Sequence, residues 1–257
     1  FKEKIMDQSA QYGQMDFNLP HDLVTLPTKG VFYKPKKESL KVGYLTAMDE
    51  NYLASPNIIN DGIIYTLLKN KIYEPGFDIN QLLNVDVQAI LIFLRNTSFG
   101  SEYDFKIRDP KTDSLFETTI MLDNIKIVES EIQPNEEGLF EFVLPKTKKK
   151  VKLRLLNLGD EREIDKMKEQ YPEKMVAPVV TRRLEKSIVS VDGETNREQI
   201  SKFVNQLPIM DSKELRKFLR RCEPELDLLK TIMAPSGEKV TIDVTFGAEF
   251  FRPFFGI

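Results

Sequence analysis

The chain has 257 residues, of which 41% are hydrophobic and 30% charged, the composition of a chain that buries a core rather than a disordered one. Lys+Arg 37 against Asp+Glu 40 leaves a formal net charge of -3, which argues against a dedicated nucleic-acid binder while leaving room for a local basic face. No apolar run approaches the roughly 18 residues of a membrane-spanning helix, and no signal-peptide core is found. The sequence opens on Phe1 rather than Met, so a short upstream piece is expected outside this numbering.

One Cys and one His exclude an intrachain disulfide and a Cys/His zinc site. Cys222 follows Arg220 and Arg221, a pair able to lower a thiol pKa; a small residue closing an amphipathic helix is the plainer reading. G-x-S-x-G, the P-loop and G-x-G-x-x-G are all missing. No catalytic, cofactor-binding or metal residue is therefore assigned, and no cofactor is expected.

Residues 1–16 are polar and Gln-rich and read as an arm or as the end of a helix. Phe17 to Tyr33 carries Pro20 and Pro27, which keep it extended, and a Thr28-Lys29-Gly30 turn. It is expected to pack along a surface as a docking segment. Beyond it the chain repeats itself. Lys41 to Glu50 (KVGYLTAMDE) aligns with Lys152 to Glu161 (KLRLLNLGDE). Ile79 to Arg95 aligns without a gap on Val204 to Arg220, and seven of those seventeen positions are identical: Asn80/Asn205, Gln81/Gln206, Leu82/Leu207, Asp86/Asp211, Phe93/Phe218, Leu94/Leu219 and Arg95/Arg220. The same offset pairs Pro110 with Pro235.

Each copy reads as helices followed by a hairpin. Ser55-Pro56 is an N-cap with Pro in the first turn, opening a helix from Ile58 to Ile72. Thr195 to Glu198 has capping-box spacing, and Asp86 and Asp211 are read as caps of the helices that follow them. Alternation then predicts hairpins around Pro110 to Ser114 and Pro235 to Glu238, with a third around Pro145 to Lys150. The expected fold is α+β: an internally duplicated unit of short helices and a small antiparallel sheet, with an extended arm and an aromatic tail. The division expected is an arm and docking segment over 1–40, a first repeat over 41–130, a bridging hairpin over 131–150, and a second repeat with its tail over 151–257.

Three surfaces are candidates for contact. Lys148, Lys149 and Lys150 crowd one hairpin tip, where they either solubilise it or meet phosphate or an acidic partner. Arg216, Arg220 and Arg221 lie on the charged face of a helix and suit carboxylates on a neighbouring chain. Phe250, Phe251, Phe254 and Phe255 crowd the last eight residues, where either the chain's own core or a partner must cover them.

Leu26 to Tyr33 (LPTKGVFY), Val42 to Glu50 with its Leu-Thr-Ala-Met-Asp-Glu, and Leu94 to Tyr103 (LRNTSFGSEY) together resemble the baseplate hub subunit family of T-even-like contractile-tail phages, over roughly residues 20–125. The resemblance implies a non-enzymatic structural subunit of the virion tail baseplate, assembled in the host cytoplasm. Its partners would be other baseplate proteins and further copies of itself, with no small-molecule substrate, membrane or nucleic acid. An assembly chaperone absent from the mature particle is the alternative. The family often carries a Cys-Pro-x-Cys knuckle in two hairpin turns. Here these turns are Asp109-Pro110-Lys111-Thr112 and Ala234-Pro235-Ser236-Gly237, so a zinc staple is ruled out, and packing and turn chemistry must hold them.

Overall fold

The computed structural model describes residues 20–54, 60–172 and 175–251. It is α+β, with helices set among small antiparallel strand groups. Strand β1 (His21–Thr25) pairs antiparallel with β2 (Ser39–Gly43), Val24 opposite Leu40. Alternation along both strands puts Val24, Leu40 and Val42 into the core. The stretch expected to dock along a surface is thus the first strand of the protein's own hairpin. Helices α1 (Ala47–Ala54) and α2 (Asn60–Lys71) follow, and Val42 bridges to Ile72 as an added strand position. The Ser55-Pro56 cap lies outside the described residues.

A short turn of 3-10 helix, Ile79–Gln81, leads into α3 (Asn84–Phe99). Val87, Ile90, Leu91 and Leu94 recur at helical spacing and form its buried stripe. Gly100, at φ 84°, ends the helix, with its N–H on Asn96 O at 3.1 Å. The hairpin β3 (Glu102–Arg108) and β4 (Leu115–Met121) completes this half.

Strand β5 (Ile127–Val128) precedes the second half. There β6 (Phe140–Val143), β7 (Lys150–Leu153) and β8 (Ile188–Val191) form a sheet in the order β6-β7-β8. Helix α4 (Leu158–Glu169) starts with a capping box in which Asn157 and Asp160 bond each other's backbone N–H. Then come α5 (Val179–Ser187), α6 (Arg197–Asn205) and α7 (Ile209–Cys222). The cap of α6 is Asn196, one residue past the predicted Thr195. Strand β9 (Glu225–Leu226) pairs back with β5, β10 (Leu229–Met233) and β11 (Lys239–Asp243) form a hairpin, and α8 (Ala248–Phe251) closes the described chain.

Several elements of the two halves fall at aligned positions, although β8 and α6 face only the Ile72 bridge and the Ile79–Gln81 turn in the first half. The alignment that sets Asp86 on Asp211 also sets Asn84 on Ile209, and these are the first residues of α3 and α7. It carries the hairpin β3–β4 onto β10–β11. The bridge of Val42 to Ile72 stands where Leu153 pairs with Ile188. The hairpin expected to bridge the copies is β6–β7, which shares its sheet with β8.

Two apolar cores result, and they trade residues. The first, around Leu40, Leu68, Leu91 and Leu94, also takes in Ile242, Val244, Phe250 and Phe251 from the end of the chain. The second, around Leu144, Val151, Ile188 and Leu215, takes in Leu83 and Val85 from the start of α3. Phe93 packs on the first core and Phe218 on the second.

Candidate functional site

The polar groups best placed to do something are carboxylates, several of them fully buried. Asp86 is 0% exposed. It sits in the first turn of α3, where the helix N-terminus favours a negative charge, but it does not cap that helix. Its carboxylate reaches across to the loop after β1. Thr28 donates through its N–H at 3.0 Å and its hydroxyl at 2.6 Å, and the Tyr33 hydroxyl donates as well. That hydroxyl accepts in turn from the N–H of Leu83 at 3.0 Å. The loop can present these donors because Lys29 and Gly30 take positive φ, and a Cβ on Gly30 would stand 2.1 Å from Lys37 O. Burial raises the Asp86 carboxyl above its ordinary value against the opposing pull of Thr28 and Tyr33. Burial and the adjacent carboxylate raise the Tyr33 phenol too.

Asp211 does the same work in the second half. It is 0% exposed in the first turn of α7, and its two oxygens accept from the N–H groups of Lys146 and Thr147 at 2.7 and 2.9 Å. Burial works to raise this carboxyl, but the two backbone N–H groups prevail and hold it below its ordinary range. The loops grasped are Leu26-Pro27-Thr28-Lys29 and Leu144-Pro145-Lys146-Thr147, each led by a fully buried leucine. Both aspartates lie at helix N-termini, as read from sequence. Their role differs from capping: each ties a helix to a loop on another element.

A third carboxylate joins the two hairpin tips. Asp109 accepts from the N–H groups of Lys111 and Thr112 in its own turn. It also accepts from the N–H and hydroxyl of Ser236, at 2.9 and 2.7 Å, in the other. The Ser236 hydroxyl is the foremost cause that lowers its carboxyl below the ordinary range. Packing and turn chemistry do hold these turns, and this one side chain supplies much of the chemistry. Asp49 is buried in an ion pair with Lys71, and its counterpart Asp160 takes two bonds from Arg154, at 2.6 and 2.9 Å.

Arg95 is 0% exposed. Its guanidinium donates to the carbonyls of Gly100 at 2.7 Å, Glu102 at 3.0 Å and Phe250 at 3.1 Å, and lies over the Tyr103 ring. The aligned Arg220 is exposed. Cys222 is buried, and burial pushes its thiol up to about 12, so the neighbouring arginines do not activate it. Among the described residues, no group of three His, Cys, Asp or Glu could hold a metal ion, and no helix is long and apolar enough to cross a membrane.

The predicted contact surfaces fare unevenly. Phe250 and Phe251 are 0% exposed in the first core, Phe250 meeting Tyr103 and Phe251 edge-on and Phe246 at a tilt, which corrects their reading as docking anchors. Burying two large rings under the protein's own helices satisfies them without a partner. Phe254 and Phe255 lie outside the described residues. Arg216, Arg220 and Arg221 are exposed along α7, with Arg221 paired to Glu131 at 2.6 Å. At the lysine turn Lys149 pairs with Asp192 and Lys150 with Glu141, while Lys148 is exposed at φ 59°.

Two features went unread in the sequence. A cleft of ≈ 640 Å³ lies where the halves meet, lined by Leu83, Val85, Leu155 and Leu226, with Glu161 and Glu223 beside Arg183. Burial raises both glutamates, although Arg183 grips Glu161 through two bonds. The other feature is the exposed apolar pair Ile209 and Met210 at the start of α7, 84% and 48% accessible. An isoleucine opening a helix gave no signal that nothing would cover it.

Comparison with curated proteins and with solved structures gives no match. The family model described as T4 bacteriophage base plate protein matches residues 45–252, spanning both halves, and the chain belongs to that family.

Proposed function

We propose that this phage baseplate protein is a non-enzymatic structural subunit at or near the hub of a contractile tail, built from two copies of one α+β unit. In this reading it stays in the finished virion, its partners are other baseplate proteins, and neither substrate nor nucleic acid takes part. The observation that carries the reading is how its carboxylates are used. Asp86, Asp109 and Asp211 are all consumed in tying turns to other elements, and Asp49 and Asp160 in ion pairs. Donors this numerous commit these five carboxylates to structural ties within the fold rather than to a substrate. What they secure is the placement of loops, which is what a subunit that works by contact requires. The surfaces left for partners include the exposed cations Arg216, Arg220 and Lys148, which suit acidic neighbours.

Quantitative mass spectrometry of purified particles tests this. Stoichiometric presence with the other baseplate proteins is expected. Absence from finished particles, combined with failed assembly when the gene is deleted, would instead identify an assembly factor and overturn the proposal.

A further inference from the structure

The joint between the two halves is asymmetric: it uses a different segment of each half. On one side are Leu82, Leu83 and Val85, leading into α3 and each 6% exposed or less. On the other is Leu155 to Gly159, leading into α4. The main chains meet directly: Leu158 N–H donates to Leu82 O at 2.7 Å, and Leu83 bridges antiparallel to Asn157. Gly159 lies so close to Asn80 that a Cβ there would stand 3.1 Å from the Asn80 Cβ.

Each side has a counterpart elsewhere in the chain. The sequence alignment sets Leu82 to Val85 on Leu207 to Met210, and Leu155 to Gly159 on Tyr44 to Met48. Neither counterpart is covered as in the joint. Met210 is 48% exposed where Val85 is 6%, and Met48 is 47% exposed at the front of α1. Leu207 to Met210 thus presents an α3-type half of the joint, and Tyr44 to Met48 an α4-type half.

Resting on the reading of two copies of one unit, we infer that a second copy of this chain docks head to tail. The Leu207–Met210 end of one molecule would meet the Tyr44–Met48 end of the next, repeating the contact already made inside the chain. Such a contact joins two different surfaces, so it propagates into a ring or a row rather than stopping at a symmetric pair. In repeat architectures a terminal unit with an uncapped apolar face is the one that accepts a neighbour. The two segments are matched in kind, Leu207, Ile209 and Met210 on one and Leu45, Ala47 and Met48 on the other, as Leu82, Leu83 and Val85 meet Leu155 and Leu158 inside the chain. One difference sets its strength. Met48 stands where Gly159 allows the closest approach, so the repeated joint must be wider, and an unbranched thioether is the side chain best able to fill it. The contact should therefore be reversible and concentration-dependent.

The test uses the full chain and two variants, Met210→Asp and Met48→Asp, both at half-exposed positions. Circular dichroism first establishes that each keeps the wild-type spectrum and melting curve. In sedimentation velocity the wild type is expected to associate with rising concentration and each variant alone to stay monomeric. Mixed, the variants should form a dimer and go no further, since each retains the end that the other has lost. A wild type that stays monomeric throughout overturns the inference, as do variants that associate alone or fail to combine. Either failure leaves the particle-composition test of the structural role standing, so the two readings can fall separately.

Discussion

Asp109 and Ser236 link the tips of two hairpins that the chain forms 127 residues apart, with both carboxylate oxygens taking part. The β3–β4 and β10–β11 hairpins turn their inner faces, Phe105, Ile107, Ile232 and Ile242, into the first core. A two-stranded hairpin is marginal by itself, so a staple at the free tip is where small chemistry has large leverage. Ser236→Ala removes the hydroxyl donor and Asp109→Ala removes all the acceptors. Hydrogen exchange read by mass spectrometry should show faster exchange at both tips for Asp109→Ala, a smaller rise for Ser236→Ala, and little change in the second core. Equal protection in all three proteins would mean that the apolar faces alone hold the hairpins.

Arg95 and Arg220 are identical in the alignment and opposite in the fold. Replacing Arg95 with Met leaves the carbonyls of Gly100, Glu102 and Phe250 without their guanidinium donor, and should cost about 2–4 kcal/mol of unfolding free energy. Arg220→Met acts at an exposed helix position and should stay within about 0.5 kcal/mol of wild type. Urea denaturation of the two variants measures both, and similar losses would contradict the assignment of Arg95 as the clamp.

That pair also marks how far the sequence could be read. The order of helices and hairpins was legible because helical spacing and alternation are local, and α3 and β3–β4 lie close to where periodicity puts them. Partner choice is not local. The target of Asp86 is 58 residues away, so a carboxylate in a first turn looks the same whether it caps its own helix or grasps a distant loop. The likeness of the β1–β2 and β6–β7 hairpins, one in each half, was hidden because their loops differ in length, although Leu26-Pro27 and Leu144-Pro145 begin them alike. The aromatic tail misled for the opposite reason: composition demanded that Phe250 and Phe251 be covered but carried no information on whether the cover was self or partner.

The burial of those rings sets a further prediction. Ending the chain after Phe246 removes Phe250 and Phe251 from the first core and takes away a carbonyl that Arg95 holds. Loss of a single buried Phe side chain costs about 3–5 kcal/mol, a large share of a domain's stability. The truncated protein should therefore lose its cooperative thermal transition by circular dichroism, and Phe250→Ala in the full chain should lower the melting temperature. A truncated chain that melts like the full one would return the tail to the list of docking surfaces.

Asp86 and Asp211 hold equivalent places, yet acid should act on them in opposite directions. The Asp211 carboxyl is lowered in the fold, so above the ordinary carboxylate value of about 4 its ionised form stabilises the protein, and that stability is lost as pH falls through the lowered value. The Asp86 carboxyl is raised by burial, so the folded protein binds its proton more tightly than the unfolded chain. Its contribution is greatest at low pH and is lost as pH rises from about 4 through the raised value. The difference lies in the balance struck at each site: burial outweighs the pull of Thr28 and Tyr33 on Asp86, whereas on Asp211 it is outweighed by the backbone N–H groups of Lys146 and Thr147. Replacing each with Asn isolates its share, because the amide keeps the shape and does not titrate. Relative to wild type, Asp211→Asn should flatten the fall in unfolding free energy below about pH 4, and Asp86→Asn should make stability rise more steeply with pH just above it. Urea titrations at a series of pH values give both slopes. Two variants that shift the pH profile in the same direction would show that the two carboxyls are not shifted oppositely by the fold.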